Sequence, residues 1–440
     1  MRRIGLSLVL VAGAVSGAGG CRSGVFTEDE LVMLRTLAIG GVPVPADTSS
    51  AVSDDGAAAV LGKKLFFEPR FSGALGPAND GATDGSLGVA GDAGRISCAS
   101  CHDLQRGGAD HRSSPAQTSL GGGYTLRNAP SIINAAYSPL WQFWDGRRDS
   151  LWSQALSPME NANEANGNRL AIAALIADKY RADYEAVFGP MPDLSALPRS
   201  GKPGEAAFDG LGDDRRVDVN RIFANVGKAI AAYERRLTSN AFAPSALEQF
   251  LQTGDETALS PAAIRGARLF IGRAGCVECH GGPTLSDNSF HNIGVPQKGV
   301  HVPVEDLGRF SGVGQLLADE TFTRFGAFSE TPAPDDELVL APDGGQVGRF
   351  KTPSLRNVAK TAPYMHDGAY GDLWSVVTHY NFAGATEDYA GERDVALSPL
   401  LLSDAELGDL VEFLGALSDG DPEQSPDFPE GLVAAPTLPP

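Results

Sequence analysis

The sequence has few of the residues that commonly bind metals or form disulfides. Its 440 residues include five cysteines, seven histidines and five methionines, and no methionine lies beyond Met365. After the N-terminus, no apolar run is long enough to span a bilayer. The net charge of −20 argues against binding to nucleic acid. Because cysteines are so scarce, their spacing is informative.

Four of the five cysteines form two copies of one motif, CASCH and CVECH. In C-x-x-C-H, two thiols bond the edge of a porphyrin and the following histidine becomes the proximal iron ligand. A thioredoxin-like pair or half of a zinc site needs no such histidine, so two matches favour c-type haem. The predicted attachment and ligand residues are Cys98, Cys101 and His102 for haem 1, and Cys276, Cys279 and His280 for haem 2.

The N-terminus has the features of an export signal. A basic start, MRR, precedes the apolar stretch IGLSLVLVAGAV, which is too short to span a bilayer as a mature helix. The stretch runs into SGAGGC and resembles a bacterial lipoprotein signal with Cys21 as the lipidated first residue, although Ala18 stands where such signals usually have leucine. An ordinary signal peptide cut nearby is the alternative. Both predict a periplasmic protein, and lipidation predicts an outer-membrane anchor.

Helical patterns dominate the rest of the chain, and alternating strand patterns are scarce. VNRIFANVGKAIAAYERRL has apolar residues at helical spacing, LSPAAIRGARLF begins with an N-cap serine before proline, and SDAELGDLVEFLGAL begins with a capping box. We therefore predict a mostly α fold in which helices wrap each haem. The residues behind this prediction are Ile222, Val226, Ile230, Tyr233, Leu237, Ser260, Pro261, Ser403 and Glu406.

Three longer stretches carry a family resemblance. They are LGKKLFFEPRFSG, RNAPSIINAAYSPLWQFWDGRRDSLWSQALSPMENANE and RFKTPSLRNVAKTAPYMHDGAYGDLWSVVTHYN. In this order they resemble the bacterial di-haem cytochrome c peroxidase and MauG family over roughly residues 55–420. The resemblance implies two cytochrome c-like domains with one haem each. The predicted segments are a signal peptide (1–21), a tether (22–50), an N-terminal peroxidatic haem domain (51–243), a C-terminal electron-transfer haem domain (244–420) and an irregular proline-rich tail (421–440).

The resemblance also implies the residues that act at the first haem. It makes Trp144 the charge relay between the haems, whereas Trp141 is expected to be a packing residue. QALSPMENANE matches the stretch over the reactive face. Its predicted site residues are Gln154, Pro158 and Glu164, with Glu164 as the general acid–base that moves a proton between the peroxide oxygens. Glu160, four residues earlier, is the competing glutamate.

Two axial ligands of the family are absent from their expected places. The loop RSSPAQTSLGGGYTLRNAP contains no distal histidine, and His111, beside Asp110, is expected to be a loop residue, so we predict an open first iron. No methionine is left for the second haem. On DLWSVVTHYN, Tyr380 shares the apolar face with Leu373, Val376 and Val377, while His379 falls on the polar side. We predict Tyr380 as the distal ligand, as in MauG-like enzymes, with His379 as the alternative.

A calcium ion between the domains is also implied by the resemblance. It would take the side chain of Asn128 and the carbonyls of Thr361 and Pro363. His291 and His366 match family positions near the second haem and are not expected to bind a further metal, and His301 has no assigned role.

Three functions follow from these residues. The first is reduction of hydrogen peroxide with electrons from a cytochrome c or small copper protein, entering through the C-terminal haem. The second is a MauG-like oxidase that modifies tryptophan in a partner protein, which the missing ligands favour. The third is a pure electron carrier, which Glu164, Gln154 and the absent distal histidine argue against.

Overall fold

The computed structural model describes residues 24–138, 140–319, 321–331 and 340–440, so the predicted signal peptide and Cys21 lie outside the described residues. Helices dominate, as predicted, and the one sheet in the described ranges pairs two short antiparallel strands, β1 (Phe290–His291) and β2 (Phe350–Lys351). No helix of the described chain is long and apolar enough to cross a membrane. The helices are α1 (Glu28–Thr36), α2 (Gly56–Phe66), α3 (Cys98–Cys101), α4 (Leu151–Glu160), α5 (Arg169–Lys179), α6 (Arg181–Phe188), α7 (Ala206–Asp209), α8 (Asp213–Glu234), α9 (Ala246–Thr253), α10 (Pro261–Ile271), α11 (Arg309–Ala318), α12 (Leu373–Asn381) and α13 (Asp404–Gly415).

The first hydrophobic core is built around α8, which packs against α2 and α4. These helices approach closely because glycine stands at each crossing. A Cβ on Gly62 would lie 1.8 Å from the carbonyl oxygen of Ala229, and one on Gly227 would lie 2.5 Å from that of Trp152. The apolar positions predicted from helical spacing are confirmed as buried: Ile222, Val226, Ile230, Tyr233 and Leu237.

The second core lies between α10 and α13, with α1, α9 and α12 around it. Both predicted helix starts are confirmed. The Ser260 side chain accepts a hydrogen bond from the backbone N–H of Ala263 and Pro261 follows it, and Ser403 forms a capping box with Glu406. The two main helices again cross at a glycine, since a Cβ on Gly266 would lie 1.9 Å from a carbonyl oxygen of α13.

The described N-terminal segment packs on the second core, and the C-terminal segment packs on the first core. The described part of residues 22–50, where we predicted a tether, forms α1 and buries Phe26, Leu31 and Leu34 in the second core. α10 packs against α1, and Phe250 of α9 lies against Phe26, with 5.4 Å between the ring centroids. The tail at residues 421–440, where we predicted an irregular segment, packs on the first core through Phe428 and Leu432.

Candidate functional site

The two proximal histidines are oriented in the same way. The Nδ1 atom of His102 lies 3.1 Å from the carbonyl oxygen of Gly108, and that of His280 lies 3.0 Å from the carbonyl oxygen of Leu285. A neutral imidazole whose Nδ1–H donates to a carbonyl has a free lone pair on Nε2, which is the atom that binds iron. Each motif is therefore arranged to offer one nitrogen ligand.

The four motif thiols form no disulfide, although two cysteines in C-x-x-C lie close together. All four are only partly covered by the protein. Burial raises the pKa of Cys101 and of Cys276 to about 12. Two thiols without a disulfide, followed by an oriented histidine, fit a covalently attached haem better than they fit a thioredoxin-like pair or a zinc site.

Glu164 lies beside the first motif. It sits in the turn after α4, where Oε1 accepts a hydrogen bond of 2.8 Å from Asn161 Nδ2. Its charge is close enough to raise the pKa values of both Cys98 and Cys101. Burial raises the pKa of the Glu164 carboxyl above its usual range, and the Arg147 guanidinium opposes that shift. A carboxyl whose pKa is raised in this way holds a proton more readily than an exposed glutamate, which suits a group that both accepts and donates a proton.

The competing Glu160 is occupied elsewhere. Its carboxylate pairs with Arg169, with Oε1 3.0 Å from Nε, and it also accepts the backbone N–H of Arg169 at 2.9 Å. A glutamate held by these bonds fixes the start of α5. The surroundings of the two glutamates therefore favour Glu164 for proton transfer.

Gln154 and Pro158 stand one turn apart on the same face of α4. Both are partly exposed, whereas most other residues of the helix are buried. No described residue forms a hydrogen bond with the side-chain amide of Gln154, so this amide is available to a ligand. These two side chains and Glu164 are the predicted catalytic group, and their roles stay predictions.

Trp144 lies where the two halves of the chain meet. Its Nε1–H donates to the carbonyl oxygen of Asn128 at 2.9 Å, and its own carbonyl accepts from the backbone N–H of Lys351 at 2.7 Å. The indole also meets the His366 ring edge-on at 6.4 Å. Trp141 packs against Arg309, whose guanidinium lies 4.1 Å from the ring centroid. This contact agrees with a packing role for Trp141.

At the second motif, our placement of His379 is wrong. His379 is only 7% exposed, because the loop that carries Ile293 covers that side of α12. Nδ1 lies 2.8 Å from the Tyr370 hydroxyl, and Nε2 lies 2.9 Å from the Ile293 carbonyl. With both ring nitrogens engaged, His379 is poorly suited to bind iron.

Tyr380 differs from His379 because its side chain is not engaged in hydrogen bonds with the described residues. Burial raises the pKa of its hydroxyl, and the thiols of Cys276 and Cys279 are close enough to raise it further. Among the described residues, none forms a hydrogen bond with this hydroxyl. An oxygen that lies beside the second haem motif without a partner is a candidate iron ligand, and Tyr380 remains our prediction.

The calcium residues and the other histidines are placed as follows. Both side-chain atoms of Asn128 are buried without a hydrogen-bond partner in the described chain, which fits a bound cation or water. Pro363 lines a cavity of about 550 Å³ together with His111. His111 is exposed, with Nδ1 3.2 Å from Asp103.

The three remaining histidines each have a defined partner. His291 lies between two carboxylates, 2.9 Å from Asp287 and 2.8 Å from Asp394. His366 stacks on Phe350, with 3.7 Å between ring centroids, and burial lowers its pKa to about 3. His301 stacks on Tyr124 at 3.5 Å.

Sequence reasoning missed two buried charges near these sites. Lys351 has only the Ser138 hydroxyl, 3.2 Å from Nζ, and burial lowers its pKa to about 8. Glu234 lies near Cys98, and burial raises its pKa to about 8. Lys351 stands in the quoted motif RFKTPSLRN. Its charge in the otherwise uncharged stretch KTPSL was the sequence feature that could have indicated a buried lysine.

Two C-x-x-C-H sites with oriented histidines on a helical scaffold define a c-type di-haem protein. The family model of di-haem cytochrome c peroxidase matches residues 56–257. The cytochrome-c peroxidase IdrP1 of Denitromonas iodatirespirans is 33% identical over 387 residues, which cover 87% of this chain and 85% of that protein. The chain therefore belongs to the di-haem cytochrome c peroxidase family and is an oxidoreductase of that type, and the family implies haem c as cofactor.

MauG proteins are similar to the chain to almost the same extent. The methylamine utilization protein MauG of Methylorubrum extorquens is 30% identical over 359 residues, covering 81% of this chain and 77% of that protein. A MauG-like protein associated with microbial copper homeostasis shares 26% identity with a TM-score of 0.58, covering 90% and 94% of the two chains. The diheme peroxidase BthA of Burkholderia thailandensis, at 23% identity and a TM-score of 0.59 over 87% and 92%, supports the fold alone.

Proposed function

We propose that the protein reduces hydrogen peroxide to water with electrons from a small exported redox protein, a cytochrome c or small copper protein. The observation that carries this proposal is the link between the Glu164 turn and the first haem motif: the Gly122 N–H donates to the Glu164 carbonyl oxygen at 2.6 Å, and Arg112 joins the same loop, at Leu120, to Cys101. When bound, the first haem would supply the iron at which the peroxide O–O bond breaks. Glu164 takes the proton from one peroxide oxygen and delivers it to the other, so that the leaving oxygen departs as water.

Other residues support this chemistry. Gln154 offers a side-chain amide on α4, the helix that leads into the Glu164 turn. Pro158 occupies the next turn of α4 without adding a hydrogen-bond donor. Each peroxide consumes two protons and two electrons and yields two waters. The second haem, when bound, would supply the entry point for the electrons, and Trp144, which contacts residues of both halves of the chain, would relay them.

Turnover by protein isolated fully oxidised tests the proposal. We expect rapid oxidation of reduced cytochrome c by hydrogen peroxide without prior reduction of the protein, because the stretch RSSPAQTSLGGGYTLRNAP contains no histidine that could occupy the first iron. A fully low-spin ferric spectrum, together with turnover only after half-reduction, would contradict the open first iron. The same assay with reduced azurin-type copper protein distinguishes the two classes of donor.

A MauG-like oxidase is the second candidate, and the surroundings of Tyr380 favour it. An anionic oxygen ligand stabilises ferric iron and lowers the haem potential, which makes the second haem a poor store for one electron. The protein would then pass two oxidising equivalents to tryptophan in a partner protein. No turnover with electron donors, together with a persistent spectral change after peroxide, would support this candidate.

The remaining predictions belong to the same proposal. We propose a periplasmic protein that reaches the outer membrane only through lipid on Cys21, and a calcium ion held by Asn128, Thr361 and Pro363. The unpartnered Asn128 amide supports that ion. Mass spectrometry of the mature N-terminus and metal analysis of the purified protein test the two points separately.

A further inference from the structure

The loop after the first haem motif contains three consecutive glycines that dock on the turn carrying Glu164. The backbone N–H of Gly122 donates to the carbonyl oxygen of Glu164 at 2.6 Å. The N–H of Gly123 donates to the carbonyl oxygen of Asn163 at 3.1 Å. The glutamate is thus held at its own backbone by a segment far away in sequence.

Only glycine fits at this contact. A Cβ on Gly121 would lie 2.7 Å from the carbonyl oxygen of Asn163, and one on Gly122 would lie 2.4 Å from that of Ala162. None of the three glycines has a positive φ, so other residues could adopt the local backbone conformation. The close approach of two backbones, and not the turn itself, therefore requires glycine here.

The glycine loop is fixed from two further sides. Gly76 donates its backbone N–H to the carbonyl oxygen of Gly122 at 2.7 Å, and the Asn79 amide donates to that of Gly121 at 2.9 Å. Arg112 connects the loop to the haem motif, because Nη2 lies 3.2 Å from the Leu120 carbonyl oxygen and 3.3 Å from Cys101 Sγ. The Glu164 turn, the glycine loop and the first haem motif therefore form one connected unit.

We propose that the backbone of Gly121, Gly122 and Gly123 positions Glu164 relative to the first haem motif, so that the resting protein is already arranged to react with peroxide. The glycines are positioning residues that act through the backbone of the Glu164 turn. This inference rests on the proposed acid–base role of Glu164. It adds that the glycine loop holds Glu164 in its reactive position before any electron reaches the protein.

A double-mutant cycle on the ferric di-haem protein tests the inference, with the rate constant for peroxide reaction measured by stopped flow. We expect Gly122→Ala to lower that rate constant about 100-fold, because the added Cβ displaces the Glu164 backbone. Glu164→Gln should lower it by at least as much. Since the glycine acts only through the glutamate, adding Gly122→Ala to Glu164→Gln should change the rate by less than about twofold.

Two further variants separate positioning from loss of fold. Gly212→Ala is the control, because a Cβ there meets no atom within 4 Å, and it should react at the wild-type rate. Gly123→Ala should have a weaker effect than Gly122→Ala, since its Cβ meets the Asn163 side chain at 2.7 Å and not a backbone atom. Adding Asn163→Ala should then restore the rate.

The outcomes distinguish the inference from the function on which it rests. If Glu164→Gln reacts at the wild-type rate, the acid–base role is wrong. If Glu164→Gln reacts slowly but Gly122→Ala does not, the acid–base role of Glu164 stands and the positioning inference is overturned. The same conclusion follows if the rate losses of the two single variants multiply in the double variant. A Gly123→Ala rate equal to that of the wild type, or a Gly123→Ala loss that Asn163→Ala does not restore, would also contradict the inference, and neither outcome depends on how well Gly122→Ala folds.

Discussion

At the residue scale, two glutamates four positions apart have different surroundings. Arg169 pairs with the Glu160 carboxylate, whereas burial raises the pKa of Glu164. A carboxylate engaged by an arginine is suited to a structural contact, and a desolvated carboxyl is suited to proton transfer. Helical periodicity alone could not separate them.

The raised pKa of Glu164 predicts the pH dependence of peroxide reduction. Glu164 must be ionised to take the first proton, so kcat/KM should fall as the pH drops through a pKa above the usual value of about 4.3. Glu164→Gln should remove this acid limb and lower kcat/KM about 100-fold. The matched variant Glu160→Gln should keep the limb, and a limb that survives in Glu164→Gln would assign the titration to another group.

The second haem offers a prediction about its reduction potential. Tyr380→Phe should raise that potential, because it removes the oxygen ligand that stabilises ferric iron. His379→Gln is the control, since both ring nitrogens of His379 already bond to Tyr370 and Ile293. Spectroelectrochemical titration measures both variants. A potential that moves in His379→Gln and not in Tyr380→Phe would reverse the ligand assignment.

At the scale of elements, glycines set how closely the helices pack. The crossings of α2 with α8, of α4 with α8, and of α10 with α13 each place a glycine against the backbone of the other helix. Glycine is unfavourable inside a helix by about 1 kcal/mol. The close packing of the two backbones at each crossing offsets that cost, and it also holds α4, which carries Gln154 and Pro158, against the first core.

The crossing of α2 and α8 gives a stability prediction. Gly62→Ala should lower the free energy of unfolding by about 2 kcal/mol, because its Cβ would overlap the Ala229 carbonyl oxygen and push the helices apart. Gly314→Ala, in α11, meets no atom within 4 Å and should raise stability by about 0.5 kcal/mol. Denaturant unfolding of both variants measures the difference, and equal effects would mean that the crossing can relax.

At the scale of the whole molecule, two features join the halves of the chain. The N-terminal segment packs on the second core and the C-terminal tail on the first, as Phe428 shows by meeting the Tyr233 ring at 5.8 Å. Arg127 adds a buried ion-pair network. Its guanidinium bonds to Asp306 at 2.6 and 2.7 Å and to Asp145 at 2.5 Å.

Removal of Arg127 should be costly. Arg127→Met leaves the buried Asp306 carboxylate without its counter-ion and Asp145 with Arg147 as its remaining partner, and it should lower the free energy of unfolding by about 3–5 kcal/mol. Burial alone raises the pKa of Asp306, and the bonds and charge of Arg127 outweigh it and hold that pKa below its usual value. The stabilisation is thus present above the unfolded pKa of about 3.9 and is lost as the pH falls through the lower folded value.

Thermal unfolding as a function of pH measures this effect. The difference in Tm between wild type and Arg127→Met should be large near neutral pH and should shrink as the medium becomes acidic. Arg199→Met is the control, because Arg199 pairs with Asp178 at the surface and exposed pairs contribute about 0–1 kcal/mol. A difference in Tm that does not depend on pH would indicate lost packing and not lost charge pairing.

The sequence by itself determined the haem motifs, the helical class, the helix starts at Ser260 and Ser403, and the family. These features are local, because a C-x-x-C-H motif, an N-cap and a 3.6-residue period need only neighbouring residues. The stretch carrying Gln154, Pro158 and Glu164 could be located for the same reason, although their roles remain predictions.

Only the tertiary structure decided which side chains are satisfied. His379 was assigned to a polar face, but the Ile293 loop covers it. The segment predicted as a tether packs against α10 and buries Phe26, Leu31 and Leu34 in the second core. The contact between the glycine loop and the Glu164 turn joins segments about 40 residues apart through backbone atoms. Such contacts depend on how separate elements meet in space, which local periodicity does not specify.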